Sequence, residues 1–591
     1  MLRRLLVALA LSLPALADDA VDLQWKARTQ DLLEYGISSV STDATGKLQV
    51  VAQPDRKFQL FGYEIDAKGT CAAATQYTQI ASDWLLLLPA SKVRTGSVVK
   101  LARPYDKMSG VNPFSAVGTM TLQGYEEIDS AHLAVLVTKL ELVADKHVQK
   151  AQATQSFQTV SQGSLEFTQW FDPERGLLVR VQYDLQMRLA YSDEYKKEVK
   201  KSNNSELKDY EFRTHEQWDL KGVQDVATID LGLPVKDAID KGVAFLRTKQ
   251  GANDGWEAAT DPYLGGPTAL VLLAMLKSGV SPKDPAVEKG FAWLRKQTFK
   301  KTYCVGLTMM AIEAKYISPE EVRDSEAFMD GKKSELKLQR RDLTKEDTAW
   351  MLEGANWLAK AMTTDGAWSY EGTAAGYDHS NSQYGLLGLL SAARCGIMVP
   401  TKTWQTILDH WLATQEQKGP LAKVRILAAD GKEAHEATVM VRGWGYNDVA
   451  ALGSTTVRPA AMEPCRGSMT CAGIAAVCMA RSQLSSAHAL TPEKARAAEA
   501  AVLGGVAWME AHYTVKESVY GTGWYYYYMY GLERAMVLAQ HRFVGDHDWY
   551  KEGAIVLIGG QTADGAWAAS AVETSFAVLF LKRATTPIYT K

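Results

Sequence analysis

The sequence predicts an (α/α)6 toroid preceded by a mainly antiparallel β domain, on three observations. First, one phrase recurs: Asn253-Asp254-Gly255-Trp256, Thr364-Asp365-Gly366-Ala367-Trp368, the looser Arg442-Gly443-Trp444-Gly445-Tyr446, and Gln561-Thr562-Ala563-Asp564-Gly565-Ala566-Trp567. A phrase copied at intervals marks one supersecondary unit repeated and stacked. Second, the helical stretches around these phrases fall into two alternating sets. Third, residues 18 to about 225 read differently, as β-branched or alternating runs broken by turn residues.

From the N-terminus, Arg3-Arg4, the apolar Leu5–Leu13 and Ala15-Leu16-Ala17 form a cationic start, a short apolar run and an A-x-A cleavage site. That is a secretory signal peptide, residues 1–17, with cleavage expected before Asp18. The mature protein is expected in the periplasm or outside the cell. No Cys follows the cleavage site, which argues against a lipid anchor, and no later apolar run reaches membrane-spanning length.

The β domain, residues 18–225, takes its strands from Gln49–Ala52, Trp84–Leu88, Ser97–Leu101, Val117–Leu122, Leu133–Leu142, Leu165–Trp170 and Leu177–Leu185. Phe171-Asp172-Pro173-Glu174-Arg175-Gly176 reads as a hairpin connection. Tyr195–Glu206 alternates lysines with acids far from any aromatic platform, so it is a solvated excursion and no nucleic-acid patch. Leu220–Pro234 is the expected joint.

In residues 226–591, one helix set carries an apolar core with charged residues elsewhere: Gly242–Leu246, Gly290–Leu294, Gly354–Leu358, His410–Leu412, Gly505–Met509 and Ala554–Leu557. The other set is nearly uncharged: Thr268–Leu276, Tyr303–Ile312, Ser382–Ala392, Met469–Met479, Tyr526–Leu538 and Thr574–Leu581. A helix with one wet face lies outside, and one apolar all round is buried. Strict alternation of six and six implies a closed double ring, with Val572–Leu581 packed beside Thr268–Leu276. Lys418–Val441 interrupts the repeat and reads as an inserted hairpin.

Gln561-x3-Gly565-x-Trp567 resembles the QW repeat of squalene–hopene cyclases, and the alternation resembles the toroid of protein prenyltransferase β subunits. The resemblance covers roughly residues 230–585. Asp378-His379-Ser380-Asn381-Ser382-Gln383-Tyr384 and Tyr528-Met529-Tyr530-Gly531-Leu532-Glu533-Arg534-Ala535 look closest to secreted bacterial prenyltransferase/squalene-oxidase repeat proteins. The resemblance implies an aspartate-rich motif, Asp-x-Asp-Asp-Thr, at an inner-helix start, where a carboxylic acid held protonated attacks an alkene. Asp378 matches its first position, but Ser380 and Asn381 stand where the other acids belong. Hydroxyl and amide groups cannot supply that proton, so cyclisation is not expected. Glu346-Asp347-Thr348 imitates the motif but begins an outer helix, where its carboxylates should face solvent and favour the helix dipole. A prenyl-transfer zinc site would need Asp, Cys and His together. Asp378, His379, Cys465 and Cys471 do not form the required Asp-x-Cys pair, and no metal or cofactor is expected.

The expected ligand-binding residues are Asp378, His379, Asn381, Gln383, Arg466, Trp444, Tyr446, Tyr525 and Tyr528, with Glu463 beside Arg466. Inner-helix starts converge on one mouth and offer free N–H groups; the bland alternative is capping by Ser380 or Asn381. Trp256, Trp368 and Trp567 recur and are read as packing, whereas the tyrosine run Tyr525–Tyr528 does not recur. The function expected is non-catalytic binding of an apolar, isoprenoid or carbohydrate ligand, or of an envelope protein segment. Two alternatives stand beside it: a lumen-using enzyme (a divergent terpenoid cyclase, or a polysaccharide lyase or glycosidase with Asp378 and Glu573 as its carboxylates) and a structural module of the envelope. The 47% hydrophobic content supports a large core, and a net charge of −3 gives no electrostatic reason for nucleic-acid binding. Of six cysteines, Cys71, Cys304, Cys395 and Cys478 sit in apolar contexts, and Cys465 and Cys471 leave a short-loop disulfide open.

Overall fold

A computed structural model describes residues 20–42, 48–49, 56–68, 85–105, 114–144, 158–203, 206–257, 263–330, 332, 340–372, 376–427, 434–447, 465–521 and 523–588. The segment 1–17, Val50–Ala52, Cys71, Trp84, Asp430-Gly431 and Glu463 lie outside the described residues. The chain divides into two units, Met1–Ile229 and Asp230–Lys591.

The first unit is built on a nine-stranded antiparallel sheet: β1 (Asp31–Thr42), β2 (Leu48–Gln49), β3 (Arg56–Phe61), β4 (Val98–Tyr105), β5 (Phe114–Ile128), β6 (Ala131–Ala144), β7 (Gln158–Asp172), β8 (Leu177–Tyr191) and β9 (Tyr210–Asp225). Its order is β2-β1-β9-β8-β7-β6-β5-β4, with β3 also on β1. Strand β8 shows why: Val181, Tyr183, Leu185, Met187 and Leu189 are buried at every second position, so one face makes a core and the other meets water. Three sequence expectations change here. Leu85–Leu88 is buried but is no strand: its carbonyls are held by side chains, Gln169 Nε2 donating to Leu85 O (2.7 Å) and Leu87 O (3.0 Å), and Trp25 Nε1 to Leu86 O (3.0 Å). Leu220–Asp225 belongs to β9, paired with β1. The charged excursion contains a helix, α1 (Asp193–Asn203), with acids in its first turn and lysines in its last, the favourable order for the helix dipole.

The second unit is helical: α2 (Gly232–Thr248), α3 (Gly266–Lys277), α4 (Pro285–Leu294), α5 (Thr302–Ala314), α6 (Pro319–Met329), α7 (Lys345–Ala361), α8 (His379–Arg394), α9 (Thr401–Thr414), α10 (Gly467–Ser486), α11 (Pro492–Ala511), α12 (Tyr525–Ala539), α13 (Trp549–Gly559) and α14 (Ala571–Leu581). Helices α3, α5, α8, α10, α12 and α14 are the nearly uncharged ones, and each packs on the next in that order. Helix α14 then packs on α3, so the segment Val572–Leu581 lies beside Thr268–Leu276. The charged set packs against them as α2, α4, α7, α9, α11 and α13. Helix α6 is an addition to the alternation; Ser318 caps it by accepting from Glu321 N, and Pro319 opens it. The inserted hairpin is β10 (Leu421–Leu427) paired with β11 (Ala434–Met440).

The recurring phrase has a common set of bonds. Each tryptophan donates its indole N–H backward to an outer helix: Trp256 to Leu246 O (2.7 Å), Trp368 to Leu358 O (2.9 Å), Trp444 to Trp411 O (2.9 Å) and Trp567 to Leu557 O (2.7 Å). Each also donates its backbone N–H forward to an inner-helix hydroxyl, on Thr268, Ser382, Thr470 and Thr574 respectively. The glutamine of the phrase bridges neighbouring outer helices, Gln561 Nε2 donating to Ala238 O at 2.9 Å and Gln250 Nε2 to Ala286 O at 3.0 Å. The inner helix leaves room for the indole by carrying glycine, since a Cβ on Gly385 would lie 2.5 Å from the Trp368 ring.

Asp347 corrects the solvent-facing reading of Glu346-Asp347. Glu346 is exposed, but Asp347 is buried against Arg295, Lys315 Nζ (2.5 Å) and the Tyr316 hydroxyl (2.6 Å). Burial acts against its charge, and those three donors outweigh burial to hold its carboxyl below the usual range. The Cys465–Cys471 bridge is not formed. Both thiols are free, with Cys465 Sγ 3.6 Å from Glu416 Oε2 ahead of α10 and Cys471 Sγ 3.8 Å from Met509 Sδ on α11.

Beyond α14 the chain crosses the C-terminal ends of the inner helices. Thr585 donates to Glu533 through its N–H (3.0 Å) and hydroxyl (2.6 Å), Lys277 Nζ donates to Thr586 Oγ1 (3.2 Å), and Arg394 Nη2 to Thr586 O (3.2 Å). Burial raises the Glu533 carboxyl from 4.5 to about 7. The folded state therefore holds a proton that the unfolded chain has released, and stability falls as pH rises between those two values. Glu533→Gln is expected to flatten the pH dependence of urea stability across that window; an unchanged slope would place the titration elsewhere.

Candidate functional site

Helix α8 starts at Asp378, which accepts from Asn381 N at 2.7 Å and from Asn381 Nδ2 at 2.9 Å. Asp378 is thus the cap, and the expected capping by Ser380 or Asn381 is corrected. The side chain is only 5% exposed, and burial raises its pKa against the pull of the Asn381 and Tyr446 hydrogen bonds.

The first turn of α8 presents a chain of hydroxyl and amide groups. Ser380 Oγ bonds the Tyr303 hydroxyl from α5 and the Tyr527 hydroxyl from α12 at 2.8 Å. Gln383 Nε2 donates to the same Tyr527 hydroxyl, and Gln383 Oε1 accepts from Arg534 Nη1 at 2.9 Å. Tyr384 lies 4.7 Å from the Tyr303 ring and 6.3 Å from that of Tyr527. Beside them the Tyr370 and Tyr446 hydroxyls are 2.7 Å apart, and Arg466 sits 5.6 Å from the Tyr446 ring. Tyr303, Tyr370, Tyr446 and Tyr527 are half-buried, and Tyr263, 36% exposed, packs edge-on at 6.3 Å from Tyr303. Burial pushes the hydroxyls of Tyr303, Tyr446 and Tyr527 far above the ordinary tyrosine value, so they remain neutral donors and acceptors.

Of the nine expected residues, Asp378, Asn381, Gln383, Arg466 and Tyr446 stand in or beside this cluster. The other four are turned elsewhere. His379 is fully buried, stacked 4.4 Å from Trp411, with ring nitrogens bonded to Gly445 O (2.8 Å) and Thr414 Oγ1 (3.1 Å). Trp444 serves the repeat, its indole bonded to Trp411 O. Tyr525 donates to Val515 O (2.7 Å) and Tyr528 to Thr514 O (2.8 Å), so both fasten the segment before α12. The reason is helical phase: positions 525 and 528 share one face, while 527, 530 and 534 share another that turns inward. Tyr303, Tyr384, Tyr527 and Arg534 are therefore the members that the sequence reading missed, and the spacing Tyr527–Tyr530–Arg534 was the available signal. Glu573 is half-buried in the first turn of α14; its Oε2 has no hydrogen-bond partner among the described residues, and burial raises its pKa.

The cluster can hold uncharged polar groups through hydroxyls and stack flat or apolar ones on its rings. No group of three or more His, Cys, Asp or Glu side chains able to hold a metal ion occurs among the described residues. No helix there is long and apolar enough to cross a membrane.

No family model and no curated protein matches the chain. Among solved structures it is similar to a type II terpene cyclase from Scytonema in complex with its product, merosterolic acid A, at 10% identity and a TM-score of 0.24, over 60% of this chain and 97% of that one. A likeness this shallow assigns no activity, substrate or ligand.

Proposed function

We propose that the protein is a secreted, non-catalytic binding protein of the squalene-cyclase and prenyltransferase toroid type. It holds an apolar, isoprenoid or carbohydrate ligand, or a protein segment, where the inner helices begin. The observation that carries this reading is the hydroxyl chain Tyr303–Ser380–Tyr527–Gln383 under half-buried tyrosine rings. A site of apolar walls with a few fixed polar groups suits a ligand with a flat or greasy body and a polar end. The non-catalytic part rests on Asp378, whose carboxylate oxygens are taken up by Asn381 at the helix start, and on Ser380 and Asn381 standing in place of acids. The secreted part rests on residues 1–17, and N-terminal sequencing of mature protein starting at Asp18 is the expected result.

Two measurements test the binding reading. Protein purified from its native cells is expected to yield a bound molecule on solvent extraction and mass spectrometry, and Tyr527→Phe to lose it. That substitution leaves Ser380 and Gln383 short of a partner, so a stability loss of about 1–3 kcal/mol is expected alongside. Equal occupancy in the variant, or an empty wild-type protein, would refute the site. Squalene and oxidosqualene incubated with the mature protein are expected to give no hopanoid or sterol above a denatured control, and any such product would restore the cyclase alternative. The glycosidase alternative rests on the unpartnered Oε2 of Glu573; polysaccharide cleavage abolished by Glu573→Gln would favour it over simple binding.

A further inference from the structure

Arg534 lies two turns along α12 from Tyr527, and past it the inner-helix ends line a partly open cavity of about 40 Å³. Lys277, Glu313, Ser391, Arg394, Tyr530 and Arg534 line it, with leucine and methionine side chains between them. Arg534 is 1% exposed. Its Nη1 is satisfied by Gln383; the Tyr530 and Tyr384 hydroxyls interact weakly with the guanidinium, and Nε and Nη2 reach no partner in good hydrogen-bond geometry among the described residues. Its charge rests on the faces of Tyr530 (4.3 Å) and Tyr384 (5.5 Å).

The carboxylates near the cavity are already engaged. Glu321 takes both terminal nitrogens of Arg341 at 2.6 Å. Glu313 accepts from Arg341 Nη2 (3.3 Å) and Ser391 Oγ (2.7 Å) and lies 3.7 Å from Arg394. Glu533 is bonded to Thr585, and burial has raised it to about 7. Among the charged groups that line the cavity, three cations (Lys277, Arg394, Arg534) therefore face one carboxylate (Glu313), while behind them Arg341 pairs with Glu321 and Glu533 is part-protonated at neutral pH. Burial and the nearby arginines lower the Lys277 amine to about 8, and Glu313 and Glu533 oppose that shift. A guanidinium does not release its proton in a protein, and a buried charge with no partner is costly. Tyrosine faces offset part of that cost, and two free donors remain in the fork geometry that matches a carboxylate or phosphate.

We propose that this cavity is an internal anion site, in which Arg534 Nε and Nη2 hold two oxygens of a carboxylate or phosphate group and Lys277 supplies the second positive charge. The site is distinct from the tyrosine cluster and stands whether or not that cluster binds its own ligand. A water needs about 10–15 Å³ of such space, so the cavity has room for roughly three waters or one small oxyanion. The Ser391 hydroxyl already donates to Glu313, so the charged donors on the wall are Arg534, Lys277 and Arg394, which favours an occupant that carries negative charge.

Isothermal titration of the full mature chain in low-salt buffer, with sodium phosphate and sodium acetate in separate arms, tests this. Saturable binding of one equivalent of either anion is expected, and the responding arm identifies the oxyanion class. Arg534→Gln is expected to weaken it by about thirtyfold or more, the scale for truncating a buried charged partner. Lys277→Gln, at the half-buried rim, is expected to weaken it measurably while the protein stays folded, and it decides the question if Arg534→Gln does not fold. Heats of dilution alone in both arms, or affinity unchanged in Lys277→Gln, overturn the proposal, since water alone would then account for the cavity.

Discussion

Trp567→Ala is expected to destabilise the helical unit by about 3–5 kcal/mol, the cost of emptying a buried indole site. The ring is fully buried, and its indole N–H and backbone N–H bond to α13 and to Thr574 on α14. It also fills the space above Gly242 of α2, so one side chain joins the last helices of the unit to its first. Trp567→Phe keeps a ring but loses the indole bond to Leu557 O, which still accepts from Gly560 N, and should cost about 0.5–1.5 kcal/mol. Urea unfolding followed by circular dichroism checks both, and a loss below about 1 kcal/mol for the alanine variant would mean that the repeat tryptophans do not carry the packing assigned to them.

Arg341→Met is expected to cost a similar amount, about 3–5 kcal/mol, for a different reason. Arg341 is 2% exposed and holds Glu321 with two bonds of 2.6 Å and Glu313 with one of 3.3 Å. Removing it strands the buried Glu321 carboxylate and takes one partner from Glu313, which keeps Ser391 and Arg394, rather than opening a void. Replacing Glu321 by Met as well should recover part of the loss, because an apolar pair of similar volume replaces an ion pair at little net cost. A double variant no more stable than Arg341→Met would show that the loss comes from packing. Arg341→Lys keeps the charge but not the two-pronged geometry and should fall between.

The repeat and the two helix sets were legible in the sequence because apolar periodicity and Gly-x-Trp phrases are local signals. Strand β8 was legible for the same reason, with buried residues at alternate positions. Strands β1 and β9 escaped: β1 carries Ser38-Ser39 and Ser41-Thr42, β9 carries Arg213-Thr214-His215-Glu216-Gln217, and such polar runs give little alternation to read. Asp347 was misread because burial of its carboxylate depends on Arg295 and Lys315, which no local pattern connects to it. Around the hydroxyl cluster, Asp378, Asn381 and Gln383 were legible as neighbours from their helix start. Tyr303 and Tyr527 were not, since their meeting at Ser380 joins three helices distant in sequence. Tyr525 and Tyr528, chosen from the tyrosine run, lie on the face of α12 that bonds to Val515 and Thr514 rather than on the face of Tyr527.

The contact of α14 with α3 also bears on how the chain acquires its structure. The Lys277–Thr586 bond spans 309 positions and the Gln561–Ala238 bond 323, so the seam between these helices joins the two ends of the unit. Pairings this distant carry a loop-closure cost that is met before they return any stabilisation, and they slow folding. A chain emerging N-terminus first presents α3 with one apolar flank bare until α14 has been made. Completion of the unit therefore waits on α14, and a nascent chain that stalls before Ala571 exposes the flank of α3 that α14 would cover.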